Sequence, residues 1–188
     1  MTTGTLAATD IPGYTAGTWT IDPVHSEVGF TVRHMMVSKV RGRFRAFSGE
    51  IVTGADPLDS SVTADIALDS IVTGQEQRDA HIRSADFFDV ENHPTMTYRS
   101  TGVRAHGDGY VVDGQLTLRG VTKEVPLALE LNGFGPDAYG GTRAGFSATA
   151  EISRSDFGIS WNAAIEGGGV VVSDKVTIQL EIEAVLQA

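Results

Sequence analysis

The last part of the chain, Lys175 to Ala184, alternates polar and apolar residues without a break. Side chains on a strand point to opposite faces with period 2. Val176, Ile178, Leu180 and Ile182 therefore share one face, and Thr177, Gln179, Glu181 and Glu183 take the other, wet one. The same one-sided pattern recurs upstream. Trp19 to His34 reads as a long first strand, broken at Asp22-Pro23 and then alternating through Val28, Phe30, Val32 and His34. Val40 to Thr53 predicts a second, with Val40, Gly42, Phe44 and Ala46 on one face and Arg41, Arg43 and Arg45 on the other. After the turn Gly54-Ala55-Asp56-Pro57 come Val62 to Leu68, Thr95 to Val103, Tyr110 to Leu118, Lys123 to Leu131, Arg143 to Ile152 and Asp174 to Leu186, about eight strands in all. Pro126 cannot donate to a ladder, so it must stand at a strand's beginning, an edge or a bulge. One apolar face repeated through so many strands calls for a closed barrel or a sandwich.

The period breaks once, at Gln75 to Phe88. This segment is rich in helix formers, Asp79 precedes Arg83 by one i,i+4 step, and Thr73 with Glu76 fits a capping box. The spacing predicts a short helix ended by Asn92-His93-Pro94, and it most simply covers one end of a barrel. Phe87 and Phe88 follow it directly.

Composition narrows the partners. The 188 residues suit one domain; they carry 14 Lys and Arg against 24 Asp and Glu, for a net charge of −10. That balance argues against nucleic acid or an anionic membrane surface as the main partner. Without cysteine there is neither disulfide nor thiolate chemistry. No apolar run reaches the length of a membrane helix, so no stable membrane insertion is expected. Residues 1–13 read as a flexible arm before a single domain spanning 14–188. The arm has neither a basic region nor an apolar core of the secretory type, which favours a cytoplasmic location unless the sequence is a processed form.

Local chemical motifs are weak. His25, His34, His81, His93 and His106 form no HxH, HxxxH or HExxH pattern, and no metal is expected. There is no GxSxG elbow. Gly167-Gly168-Gly169 has neither Walker nor GxGxxG spacing. Asp86, Asp89 and Glu91 read as solvated surface. Arg41, Arg43 and Arg45 make a basic face with two readings: cross-strand pairs with acidic neighbours, or contact with an anion or partner.

Larger motifs are more specific. Thr20-Ile21-Asp22-Pro23-Val24-His25-Ser26-Glu27-Val28-Gly29-Phe30-Thr31-Val32-Arg33-His34 resembles the opening signature of the YceI-like family, as does Val40-Arg41-Gly42-Arg43-Phe44 leading to Phe47-Ser48-Gly49. Arg78 to Val90 (RDAHIRSADFFDV) is similar to the family's most recognisable segment, with Pro94 in the expected place. Gly114 to Lys123, Arg154-Ser155-Asp156-Phe157-Gly158, and Trp161-Asn162 followed by Glu166-Gly167-Gly168 also match. Val172-Ser173-Asp174 departs, since the family usually places glycine before the aspartate. The resemblance runs from about Tyr14 to the chain's end.

The resemblance implies an all-β, eight-stranded antiparallel, lipocalin-like barrel with a short helix over one end. It implies a non-catalytic protein that binds, transports or sequesters a polyisoprenoid or isoprenoid quinone, fatty-acid amides being a variation. A homodimer is reasonable, and no cofactor is expected beyond the bound lipid.

Strands of about ten residues, tilted about 40°, make a barrel roughly 25 Å deep that side chains fill or that holds one slender molecule. Parity places Phe30, Val32, His34 and Phe44 toward the lumen, then Met96, Tyr98, Leu116 and Leu118. Phe146, Phe157, Trp161, Ile178 and Leu180 complete the expected wall. Gly42, Ala46, Ala64 and Ala148 are small inward residues expected to leave space. Arg78, His81, Ile82, Phe87 and Phe88 are assigned to the helix and mouth, where His34, Arg78 or His81 would supply polar selectivity. Two other classes remain: an enzyme acting on a lumen-bound substrate, using a deep polar residue such as His34 or Tyr98, and a fully packed structural or stress-response module.

Overall fold

A computed structural model describes residues 7–163 and 169–188. The Glu166-Gly167-Gly168 part of the family motif and most of the triple glycine lie outside the described residues. Strands β1 (Gly17–Ile21) and β2 (Glu27–His34) are followed by β3 (Ser38–Phe44), β4 (Phe47–Thr53), β5 (Ser61–Ala67) and β6 (Ile71–Val72). Helix α1 (Glu76–Arg83) leads to β7 (Thr95–His106), β8 (Gly109–Leu118), β9 (Val121–Glu124) and β10 (Leu127–Pro136). The last two, β11 (Thr142–Ser153) and β12 (Val172–Leu186), form the longest ladder, Arg143↔Val185 through Ser153↔Lys175.

Every pairing is antiparallel, and β12 closes the sheet. One edge of β12 meets β11 along its length. The other meets β2 from Val176↔Val32 to Glu181↔Glu27, then β1 from Ala184↔Ile21 to Leu186↔Trp19. β1–β2, β3–β4, β5–β6 and β9–β10 are each one bent barrel strand, so the barrel has eight. The expected architecture holds.

The bends have local causes. Pro126 stands between β9 and β10, where no ladder hydrogen bond is asked of it. Arg45 and Ala46 leave the β2 ladder: the Arg45 amide donates to the Ser70 carbonyl (3.2 Å) and the Ala46 amide to Ser70 Oγ (3.0 Å). This break shifts the parity by one. Val40, Gly42 and Phe44 face inward before it, and Phe47 and Ile51 after it. Ala46, expected on the inward face, is therefore exposed.

The end of the barrel away from α1 is plugged. Trp19 is fully buried, its Nε1 donates to Thr53 Oγ1 at 2.8 Å, and its ring meets Phe134 edge-on at 5.6 Å. Phe134 also touches Phe146 and Tyr14, whose hydroxyl donates to the Gly54 carbonyl at 2.7 Å. Residues 1–6 of the expected arm lie outside the described residues, and Ala8–Asp10 forms a turn of 3₁₀-helix.

Candidate functional site: an apolar slot with a polar mouth

The closed ladder forces every second side chain of eight strands into one interior, which is not filled. A cavity of about 700 Å³ runs through it. Phe30, Val32 and His34 of β2 and Phe44 of β3 line one side. Met96 and Tyr98 of β7, with Leu116 and Leu118 of β8, line another. Phe146 of β11 and Ile178 and Leu180 of β12 complete the wall. Phe157 does not: only 1% exposed, it sits in the packed core. It belongs to a 3₁₀ turn, Arg154–Phe157, so strand parity does not govern its direction.

Two inward glycines do not enlarge the slot. A Cβ at Gly42 would lie 2.3 Å from the Phe30 ring, and one at Gly114 would lie 2.4 Å from the Tyr98 hydroxyl. Each glycine makes room for an aromatic ring across the ladder. Ala64 and Ala148 do line the cavity.

The mouth is built by α1 and the chain after it. Arg78, His81 and Ile82 reach the cavity from the helix, and Phe87 and Phe88 from the turns that follow. Trp161 closes over them, with ring centroids 4.6 Å from His81 and 5.3 Å from Phe87. His81 Nε2 donates to Asp86 Oδ2 at 2.9 Å, which fixes the ring edge-on to both aromatics.

The helix start differs from the expected one. Gln75, not Thr73, is the N-cap and accepts from the Arg78 amide. Thr73 instead accepts from Arg78 Nε (2.8 Å) and donates its hydroxyl to Asp79, which also takes the Thr73 amide. Asp79 is thus held by Thr73 and not by Arg83. Arg83 donates to the Asp69 and Ile71 carbonyls at 2.9 and 3.0 Å. These bonds anchor the helix to β6 and hold Arg78 at the rim.

Two polar residues were not assigned roles in advance. Arg154 is 6% exposed and donates to the carbonyls of Ser173, Ile159, Trp161 and Val172, at 2.9–3.2 Å. Burial lowers its guanidinium from the ordinary value, against the opposing pull of Asp174. It ties the Trp161 segment to β12, and its guanidinium lies 6.0 Å from the centre of the Phe87 ring. Only its place in the RSDFG motif marked it. Tyr110 lines the cavity near the plugged end, and its buried hydroxyl has no partner among the described residues.

Tyr98 donates to the Val125 carbonyl at 2.8 Å; burial first, then Asp113 and Glu124, push its hydroxyl above the ordinary tyrosine range. Among the described residues, no group of three or more His, Asp or Glu side chains is placed to hold a metal ion. No described helix is long and apolar enough to cross a membrane.

The model of the YceI-like domain matches residues 19–184. The chain belongs to the YceI-like family. A YceI-like relative, a UPF0312 protein of Photorhabdus laumondii, is 40% identical over 79% of this chain and 72% of its own. Another, from Vibrio cholerae, is 37% identical over 98% and 96%. Among solved structures, the Campylobacter jejuni YCEI protein is similar with TM-score 0.71 and 27% identity, over 83% of this chain and 90% of that one. A polyisoprenoid binding domain from Saccharophagus degradans shares the YceI-like fold with TM-score 0.68 and 18% identity, over 92% and 100%.

Proposed function

We propose that this YceI-like protein binds one long apolar lipid, a polyisoprenoid or isoprenoid quinone, in the barrel lumen and carries or sequesters it unchanged. The apolar slot is the observation that carries this reading. Its volume of about 700 Å³ falls within the range of small-molecule sites, about 300–1,000 Å³. Branched and aromatic side chains line it, so affinity comes from removing apolar surface from water, at about 25 cal/mol per Å². Such a wall discriminates weakly between similar tails. Selectivity for a head group falls to the rim, where His34, Arg78 and His81 stand. The polyisoprenoid binding domain that shares the fold supports the same ligand class.

The non-catalytic reading rests on how the lumen's polar groups are used. Tyr98 is committed to a backbone carbonyl, and Arg154 to four. Mass spectrometry of solvent extracts from purified protein, followed by titration with a polyprenol and a ubiquinone, tests the proposal. A co-purifying prenyl lipid, or saturable uptake of either probe, is expected. An empty extract together with no uptake of either would overturn it.

A further inference from the structure

The β2–β3 hairpin breaks several local rules at one place beside the cavity mouth. His34 pairs with Ser38, leaving Met35-Met36-Val37 as its tip. Met35 and Met36 have φ of 52° and 61°, the left-handed backbone that hairpin turns normally give to Asn and Gly. These apolar side chains are also exposed: Met35 by 42%, Met36 by 57% and Val37 by 82%. The Met35 amide donates to the Val171 carbonyl, and Val171 and His34 both line the cavity, so the tip stands at the rim.

The charge at this hairpin opposes that of the whole chain. Arg33 lies directly across from Lys39, a like-charge pair that costs stability in a ladder. Arg41 and Arg43 follow on the same outer face, opposite Thr31 and Gly29. Among the described residues, none of Arg33, Lys39, Arg41, Arg43 and Arg45 has a carboxylate within ion-pair distance. The cross-strand acidic pairing expected for the arginine face is thus not seen there. A net charge of −10 coexists with a tip that is basic and greasy. Screening makes the local charge decisive, since fields in physiological salt fade over about 8 Å.

We infer that this tip docks the barrel mouth onto an anionic lipid bilayer, with Met35, Met36 and Val37 entering the interface and Arg33, Lys39 and Arg41 meeting the head groups. An exposed apolar tip flanked by cations that have no ion-pair partner among the described residues fits that surface, whereas a protein partner would have to present acidic groups around an apolar socket. Each cation near an anionic leaflet strengthens partitioning about fivefold. Two-residue steps of roughly 7 Å put Arg41 within range of a leaflet that Lys39 meets, and leave Arg43, about 14 Å from Lys39, outside it. The inference rests on the lumen holding a membrane lipid, because docking then aligns the slot with its source.

Vesicle flotation tests it, using phosphatidylcholine with and without phosphatidylglycerol. The wild type should float only with the anionic vesicles, and less as salt rises. Lys39→Glu/Arg41→Glu should cut binding at least tenfold. Met35→Asn/Met36→Gly, which suits the left-handed backbone, should cut it similarly. Both should keep or raise the melting temperature, since each relieves a local cost, and keep the uptake of detergent-dispersed polyprenol. Wild type that stays off anionic vesicles while taking up polyprenol would overturn the docking site alone. So would variants that float like wild type, or a tip variant whose only defect is loss of self-association. Vesicle binding without uptake of any apolar probe would leave docking standing and overturn the lumen reading.

Discussion

Phe30 lies over Gly42 across the β2–β3 ladder, so close that a Cβ on residue 42 would come within 2.3 Å of the ring. The ring also packs 5.9 Å from Phe44, which in turn packs 6.0 Å from Phe88. The glycine therefore sets where one aromatic wall of the slot stands.

Replacing Gly42 by alanine should push the Phe30 ring into the lumen. The contact is with the far end of a side chain, so the fold should survive with a loss of about 1 kcal/mol in urea unfolding. Polyprenol uptake should fall, and Gly42→Ala/Phe30→Leu should recover it. Uptake at the wild-type level in the single variant would contradict the geometry. Phe30→Arg should abolish uptake in a folded protein, because a buried guanidinium would lack a partner there.

The two lumen tyrosines should respond oppositely to loss of the hydroxyl. Tyr98→Phe removes a donor to the Val125 carbonyl and should cost about 1 kcal/mol. Tyr110→Phe removes a buried hydroxyl that has no partner among the described residues, and should leave stability unchanged or raised. Thermal melts of both variants decide between these outcomes.

Arg154→Met should strand the carbonyls that hold the Trp161 segment against β12. A loss of about 3 kcal/mol is expected from several unsatisfied buried acceptors. Trp161 should also lose its fixed contact with His81, visible as a change in tryptophan fluorescence.

Arg143 couples the ends of three segments, reaching Asp22 at 2.8 Å, Asp137 at 3.1 Å and Glu183 at 3.4 Å. Its hydrogen bond holds the Asp22 carboxyl well below the ordinary 3.8, with His25 adding to the effect. Asp137 is lowered mainly by the Gly141 and Tyr139 amides, and less by Arg143. Depressed carboxylates stabilise the fold above their unfolded pKa, and this contribution fades as pH drops from 3.8 toward the folded values. Arg143→Gln should therefore lower the urea midpoint at pH 7. The gap from wild type should narrow below pH 3.8. A gap independent of pH would show that Arg143 acts only through packing.

Much of the barrel was legible from parity. Val176, Ile178, Leu180 and Ile182 do line the cavity, because β12 runs through that stretch without a break. Ala46 failed where parity had to fail: two residues left the ladder, and the later side chains of that strand, Phe47 to Thr53, turned over. Phe157 failed because a 3₁₀ turn has no period of 2. Thr73 looked like a cap by spacing, yet Asp79 and Arg78 had a stronger use for its hydroxyl.

Local pattern determined the strands and the helix segment, because alternation is written residue by residue; a one-sided sheet must bury that side, which allowed a barrel or a sandwich. Local pattern also carried the family motifs, and these implied the barrel. Whether the interior was solid or hollow was decided only in three dimensions. That outcome depends on which side chains meet across the ladder, as Phe30 fills the space over Gly42 and Tyr98 that over Gly114. The basic face of Arg41 and Arg43 was legible, but its place at the mouth, beside the Arg33–Lys39 pair, was not. A net of −10 is a sum over the chain, while docking depends on the few cations that one hairpin brings together.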